Sequence, residues 1–196
     1  MSLPYEALKV KLIPTGAGLV PPDRELPTHV TLDSSAVDSM TDLRHSPAIT
    51  VEPDTALDVA EMRMKYSGVR LLFVRGIKGE LLGLVTLNDI KGERPMQFQR
   101  DMEVGHNDIT IQDIMTPVDR LEAISFDDVV ESRVGDIIQT LKRTGRQHAL
   151  VVQTAGSNPT VRGIFSARQI GRQLGVQINT SGIAYTFAEL ETALAH

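Results

Sequence analysis

The chain has 196 residues, a formal net charge of −5, and 41% hydrophobic and 23% charged residues, ordinary proportions for a globular fold of one domain or two small ones. That balance leaves no basic surplus to neutralise a nucleic-acid backbone, though a local basic pocket for one nucleotide stays open. The absence of Cys excludes disulfides, thiolate metal sites and Cys nucleophiles. No apolar run approaches the roughly 20 residues of a membrane span, and the N-terminus lacks a signal-peptide pattern, so a soluble, cytoplasmic protein without membrane or nucleic-acid partners is expected.

Six of the ten prolines fall within residues 1–47, so this stretch cannot form long helices. An extended Pro-rich arm is expected over 1–40, with Leu3, Leu8, Val10, Leu12 and Ile13 apolar enough to dock on a surface. Asp33-Ser34-Ser35 is suited to cap one short helix through Ala36, Val37 and Met40 towards Leu43.

Ile49-Thr50-Val51 reads as a short strand, after which Asp54 or Thr55 caps a helix. Leu57, Ala60 and Met64 form its apolar stripe, Val59 and Met62 widen it, and Gly68 ends it. Residues 69–74 are an apolar strand, Gly-Ile-Lys-Gly at 76–79 a tight hairpin, and 80–87 the return strand. At Asn88-Asp89 the pattern switches to a helix start, running to Gly92 or beyond. The order is β-α-β-β-α.

A mixed segment follows over 93–120. Glu93-Arg94-Pro95 reads as a break, 97–101 as helical, and Thr41-Asp42-Leu43 matches Gln112-Asp113-Ile114 as an approach to a unit. The pattern then recurs, as tandem repeats require. Residues 121–125 form a strand, 126–131 an insert in which Asp127, Asp128 and Glu131 cap a helix, and Val134, Ile137, Ile138 and Leu141 a stripe that Gly145 ends. Residues 148–153 and 161–166 flank a hairpin at 154–160, and 169–174 is helical before Gly175. Gly83-Leu-Val-Thr86-Leu-Asn-Asp89-Ile90 returns 80 positions later as Gly163-Ile-Phe-Ser166-Ala-Arg168-Gln169-Ile170. The resulting division is an arm (1–40), unit 1 (41–100), a linker (101–112), unit 2 (113–178) and a tail (179–196). In the tail, Phe187, Leu190 and Leu194 have helical spacing.

From about residue 41 to 175 the chain resembles a tandem pair of cystathionine-β-synthase (CBS) domains. The resemblance rests on Asp113-Ile114-Met115-Thr116-Pro117, on the helix-to-strand glycines Gly68 and Gly145, and on the two Gly-x-x-Thr/Ser segments. It implies a mixed α/β (α+β) fold in which two β-α-β-β-α units pack about a pseudo-twofold, with clefts between them for adenosyl ligands: AMP, ADP, ATP or S-adenosylmethionine. It further implies a homodimer and regulation rather than catalysis.

Carried onto this chain, the resemblance gives a first site of Thr86, Asp89, Ile49, Thr50, Val69 and Arg70. Asp89 would take the ribose hydroxyls, Thr86 and backbone amides the phosphate, Ile49 and Thr50 the adenine, and Arg70 the charge. The second site, Ser166, Arg168, Gln169, Gln147 and His148, departs from the pattern. Gln169 is a neutral acceptor where a carboxylate belongs, and Arg146, Arg168 and His148 surround that mouth, so phosphate is favoured there over ribose.

Plainer readings stand beside these. Gly83 to Asp89 alone is an ordinary strand–cap–helix junction, His148 a packed polar residue, Met62 and Met64 core, and Lys142, Arg143 and Arg146 a solvated helix end. His29, His45, His106 and His196 show no metal-ligand spacing, and neither a nucleophile–base pair nor a Gly-Lys-Ser/Thr phosphate loop is present. The expectation is therefore a non-catalytic regulatory module with an adenosyl effector, no required cofactor and no metal; an unidentified protein partner is compatible with it. The alternative is a dimerisation or partner-docking module with empty or degenerate clefts.

Overall fold

The computed structural model describes residues 26–155 and 158–180. Its elements are β1 (Thr41–Asp42), β2 (Thr50–Val51), α1 (Leu57–Ser67), β3 (Leu71–Arg75), β4 (Leu81–Thr86), α2 (Leu87–Lys91), α3 (Arg94–Met102), α4 (Ile111–Ile114), β5 (Thr116–Pro117), β6 (Ala123–Ser125), α5 (Phe126–Glu131), α6 (Val134–Thr144), β7 (His148–Ala155), β8 (Asn158–Ser166) and α7 (Ala167–Leu174). Short 3-10 turns occupy Ala36–Ser39, His106–Asp108 and Val118–Arg120. The fold is mixed α/β, as expected.

The run Leu71, Leu72, Phe73, Val74 is apolar throughout because the strand is covered on both faces. Side chains alternate across a strand, and here Leu72 and Val74 enter the core of the first unit beside Leu57, Ala60, Met64, Val85 and Ile90. Leu71 and Phe73 point the other way, joining Leu84 and Leu150 in a cluster between the two sheets. The second unit has its own core of Val134, Ile137, Ile138, Leu141, Val151, Phe165 and Ile170. Each fully buried side chain of this size contributes about 1.5–3 kcal/mol.

The strand orders are β2-β3-β4-β5 and β1-β8-β7-β6. In each sheet the first two strands of the unit are parallel and the rest antiparallel. The edge strands are crossed: β1, at the start of unit 1, pairs with β8, and β5, at the start of unit 2, pairs with β4. Residues leading into them cross as well. Ile109, Ile111 and Ile114 fill the core of the first unit, while Ala36 and Met40, with Val30 and Leu32, fill that of the second.

This crossing explains Gly83 and Gly163. A Cβ on Gly83 would collide with the Thr116 carbonyl oxygen, and one on Gly163 with Met40 Sδ and the Thr41 carbonyl. Gly68 (φ 66°) and Gly145 (φ 65°) end α1 and α6 in the left-handed conformation that favours glycine, as the spacing predicts.

Several expectations are corrected. Thr41 lies opposite Ile164, and Thr116 opposite Leu84. The counterpart of Thr41-Asp42 is therefore Thr116-Pro117, and that of Asp38-Ser39-Met40 is Asp113-Ile114-Met115, not the pairing with Gln112-Asp113-Ile114. The helix expected after Asp33-Ser34-Ser35 is only the turn Ala36–Ser39, with no side-chain cap from Ser35. Neither Asp54 nor Thr55 caps α1. Ala56 holds the N-cap position, and the loop carbonyls of Pro53 and Thr55 instead accept from Gln112 and Ile111 N–H, each at 2.9 Å. Val59 and Met62 are not core but 48% exposed, because the buried stripe is only Leu57, Ala60 and Met64.

Other differences concern boundaries. Helix α2 starts at Leu87 with Thr86 as N-cap rather than at Asn88. Pro95 opens α3 instead of breaking the chain, since proline fits a first helical turn whose N–H groups lack partners anyway. The second hairpin is longer than expected, β7 and β8 pairing out to Ala155 and Asn158. The insert at 126–131 is the helix α5, with Asp127 and Asp128 in its first turn. The apolar positions at 3–13 and the tail helix of Phe187, Leu190 and Leu194 lie outside the described residues.

Candidate functional site

A cleft of about 330 Å3 opens where the end of β4 and the start of α2 face the start of β7 across the two units. Its first wall is a capping box. Asp89 Oδ2 accepts from Thr86 N–H (2.8 Å) and from Thr86 Oγ1–H (2.7 Å), while Thr86 Oγ1 accepts from Asp89 N–H (3.3 Å). The box arises because a Thr N-cap and a carboxylate three residues later satisfy each other's free groups. It also fixes the carboxylate at the cleft.

The other oxygen, Asp89 Oδ1, lies 3.0 Å from Nη1 of Arg94 at the start of α3. The same nitrogen donates to the Ile114 carbonyl (2.8 Å) and Thr116 Oγ1 (3.3 Å), tying α3 and β5 to the cleft mouth. The Arg94 side chain is 48% exposed against 15% for Asp89. Such a half-exposed pair contributes at most about 1 kcal/mol, and a polar ligand can displace it.

The facing wall comes from the second unit. Gly145 turns the chain so that Arg146, Gln147 and His148 meet the cleft. Arg146 pairs with Glu122 at 2.9 Å, and Gln147 donates to Thr180 Oγ1 at 2.7 Å. His148 is held down at about 4, first because burial disfavours the imidazolium and then because Arg70 stands nearby. It is neutral at pH 7.

A second cleft of about 640 Å3 has the same plan with the units exchanged: Ser166 and Gln169 stand across from Gly68, Val69 and Arg70. No capping box forms here. Ser166 makes no side-chain cap bond, and Gln169 Oε1 accepts from Arg172 Nη2. Arg70 and Arg168 line both clefts.

The expected groupings are therefore recombined. Thr86 and Asp89 share their cleft with Gln147, whereas Val69 joins Gln169; Arg70, His148, Ser166 and Arg168 touch both. Ile49 packs against the first core, and Thr50 lines a separate groove with Arg63 and Arg75. The cause is the pseudo-twofold, which sets each unit's strand start beside the other unit's turn. Arg94, Thr116, Glu122 and Arg172 escaped the sequence reading. The signals were Pro95, which marks Arg94 as the start of a helix, and the three-residue spacing of Gln169 and Arg172. Among the described residues no group of three or more His, Cys, Asp or Glu could hold a metal ion, and no helix is long and apolar enough to cross a membrane.

Residues 40–94 match the model of the CBS domain family. No curated protein matches the chain. Among solved structures, an uncharacterized conserved protein from Pyrococcus horikoshii aligns at 19% identity over 72% of this chain and 92% of its own, with a TM-score of 0.51. CBSX2, a CBS-pair protein of Arabidopsis thaliana, in complex with AMP aligns at 21% identity over 71% and 94%, again at 0.51. The CBS domain pair of protein MJ0100, in complex with 5′-methylthioadenosine and S-adenosyl-L-methionine, aligns at 19% over 73% and 97%, at 0.50. At these identities the likeness is one of fold.

Proposed function

We propose that the chain is a tandem CBS-domain protein, residues 40–94 matching the family model and the whole pair sharing its fold with CBS-pair structures, and that its Asp89 cleft binds an adenosyl ligand, AMP or a relative of it, as a non-catalytic regulatory effector. The observation that carries this reading is the Asp89 carboxylate, one oxygen fixed by Thr86 and the other held only by a displaceable Arg94. A vicinal diol suits that second oxygen, since an ionised carboxylate accepts strongly from hydroxyls. Ligands of this kind accompany two CBS-pair structures of matching fold.

Ribose would take Asp89 Oδ1 in place of Arg94. The freed guanidinium, with Arg146 and Arg70, would meet the phosphate, and neutral His148 would form part of the wall. Release of Arg94 from the Ile114 carbonyl and Thr116 Oγ1 loosens α3 and β5, so occupancy is passed to the segment joining the units. The homodimer has a candidate surface in Val59, Met62 and Tyr66 of α1, exposed by 48%, 48% and 87%, where α6 carries the polar Asp136, Gln139 and Arg143. The docking-module alternative draws its support from Gln169, which replaces the carboxylate in the second cleft. Thermal melts with adenosine, AMP and S-adenosylmethionine test the proposal. A ligand at 100 times its Kd stabilises the fold by about 2.7 kcal/mol, a shift of several degrees, and no shift with any of them would sink it.

A further inference from the structure

The two clefts share one plan but differ in charge. In the Asp89 cleft each arginine of its own set has an acid: Arg94 faces Asp89 at 3.0 Å and Arg146 faces Glu122 at 2.9 Å. Val69 and Leu174 stand at the positions corresponding to Arg146 and Arg94, but in the second cleft four other corresponding positions have moved towards positive charge. Gln169 replaces Asp89, Arg168 replaces Asn88, Arg172 replaces Gly92, and Arg70 replaces Gln147. Lys65 adds a further cation, and the acid in the lining, Glu61, is already taken by Lys91 at 2.5 Å. Arg70, Arg168 and Lys65 form no ion pair among the described residues, and Arg172 holds only the neutral Gln169. The adjoining groove is lined by Arg70, Arg168 and Arg172 and, among the described residues, by no acid.

We infer that this second cleft is an oligophosphate site, taking a chain of two or more phosphoryl groups without a sugar to position it. Several guanidinium forks converging on one opening match phosphate oxygens, Ser166 Oγ has no capping duty, and the missing carboxylate removes both the diol acceptor and the repulsion an oligoanion would meet. The phosphate chain can arrive as a free inorganic ion or as the tail of a nucleotide seated at Asp89, because Arg70 and Arg168 border both clefts. In its second form the inference rests on the proposed function; in its first it does not.

The test is calorimetric titration of the full chain with inorganic triphosphate, AMP and ATP, in the wild type and in the double variant Lys65→Gln/Arg172→Gln. Both residues are exposed and line the second cleft and not the first, so the variant keeps its cores and its Asp89 site. The expected result is at least tenfold weaker triphosphate binding in the double variant, with its melting temperature unchanged without ligand. Triphosphate binding that survives Asp89→Asn identifies the free ion. An advantage of ATP over AMP that needs both Asp89 and Lys65/Arg172 identifies the nucleotide tail. Triphosphate bound equally by wild type and double variant, or neither triphosphate binding nor any ATP advantage, overturns the inference. AMP binding lost in Asp89→Asn reports on the first cleft alone, so the two readings fail separately.

Discussion

Replacing Asp42 by asparagine removes the charge that locks a strand of one unit onto the sheet of the other. Asp42 accepts from Arg162 Nε at 2.8 Å and Nη2 at 2.7 Å, and from Arg44 N–H at 2.9 Å. Both side chains are shielded, 7% and 11% exposed, and the guanidinium lies 4.5 Å from the Phe126 ring centroid. The hydrogen-bonded Arg162 holds the Asp42 carboxyl at about 2 against an ordinary 3.8, which corresponds to about 2 kcal/mol of stability linked to its ionisation. Stripping one partner from a buried pair costs about 3–5 kcal/mol; asparagine keeps one acceptor, so about 3 kcal/mol is expected. Urea unfolding of wild type and Asp42→Asn across pH 7 to 3 measures it. Because the folded-state value is depressed, the contribution is complete above the unfolded value near 3.8 and lost as pH falls through about 2. The gap between the proteins should hold from pH 7 to 5 and narrow below 4. A gap under about 0.5 kcal/mol at pH 7, or one that does not narrow, would refute the argument.

Three other outcomes follow from the same geometry. Gly83→Ala forces β5 away from β4 and should cost about 1–3 kcal/mol in urea unfolding; an unchanged midpoint would show that the close approach of Thr116 is not needed. His148 should make AMP bind more tightly as pH falls from 7 towards 4, because a nearby phosphate raises its depressed value and binding then takes up a proton, while without ligand the stability declines from about 6.5 to about 4. A pH-independent affinity whose profile matches His148→Gln contradicts this. Met62→Glu/Tyr66→Glu on the exposed face of α1 should shift the protein to monomer in light scattering, and persistence of a dimer places the interface elsewhere.

What the sequence made legible depended on distance along the chain. The helix stops at Gly68 and Gly145 were readable because a left-handed C-cap is a local demand. The repeat of Gly83 at Gly163 was equally plain, but its cause lies in the edge strand arriving from the other unit, which no local pattern shows. The approach was misaligned because Asp42 and Asp113 looked equivalent as acids. The spacing of Asp38, Met40 and Thr41 repeats at Asp113, Met115 and Thr116, and the strand register follows it. Val59 and Met62 were read as core since hydrophobicity alone does not tell a buried stripe from an exposed one. At the site, Thr86 and Asp89 announce themselves as a capping pair. The wall opposite them did not, because a pseudo-twofold brings Gln147 and His148, rather than Val69, to face Asp89. Arg94 was hidden by reading Pro95 as a break.

Calorimetric titration of AMP into wild type, Asp89→Asn and Arg94→Ala tests the central claim most directly. Asp89→Asn should weaken binding at least tenfold, through loss of the ionised acceptor for the ribose diol. For adenosine, which has no phosphate for Arg94 to meet, Arg94→Ala should tighten binding about three- to fivefold, the worth of the half-exposed ion pair that the ligand no longer has to break. Equal AMP affinity in wild type and Asp89→Asn would contradict the account.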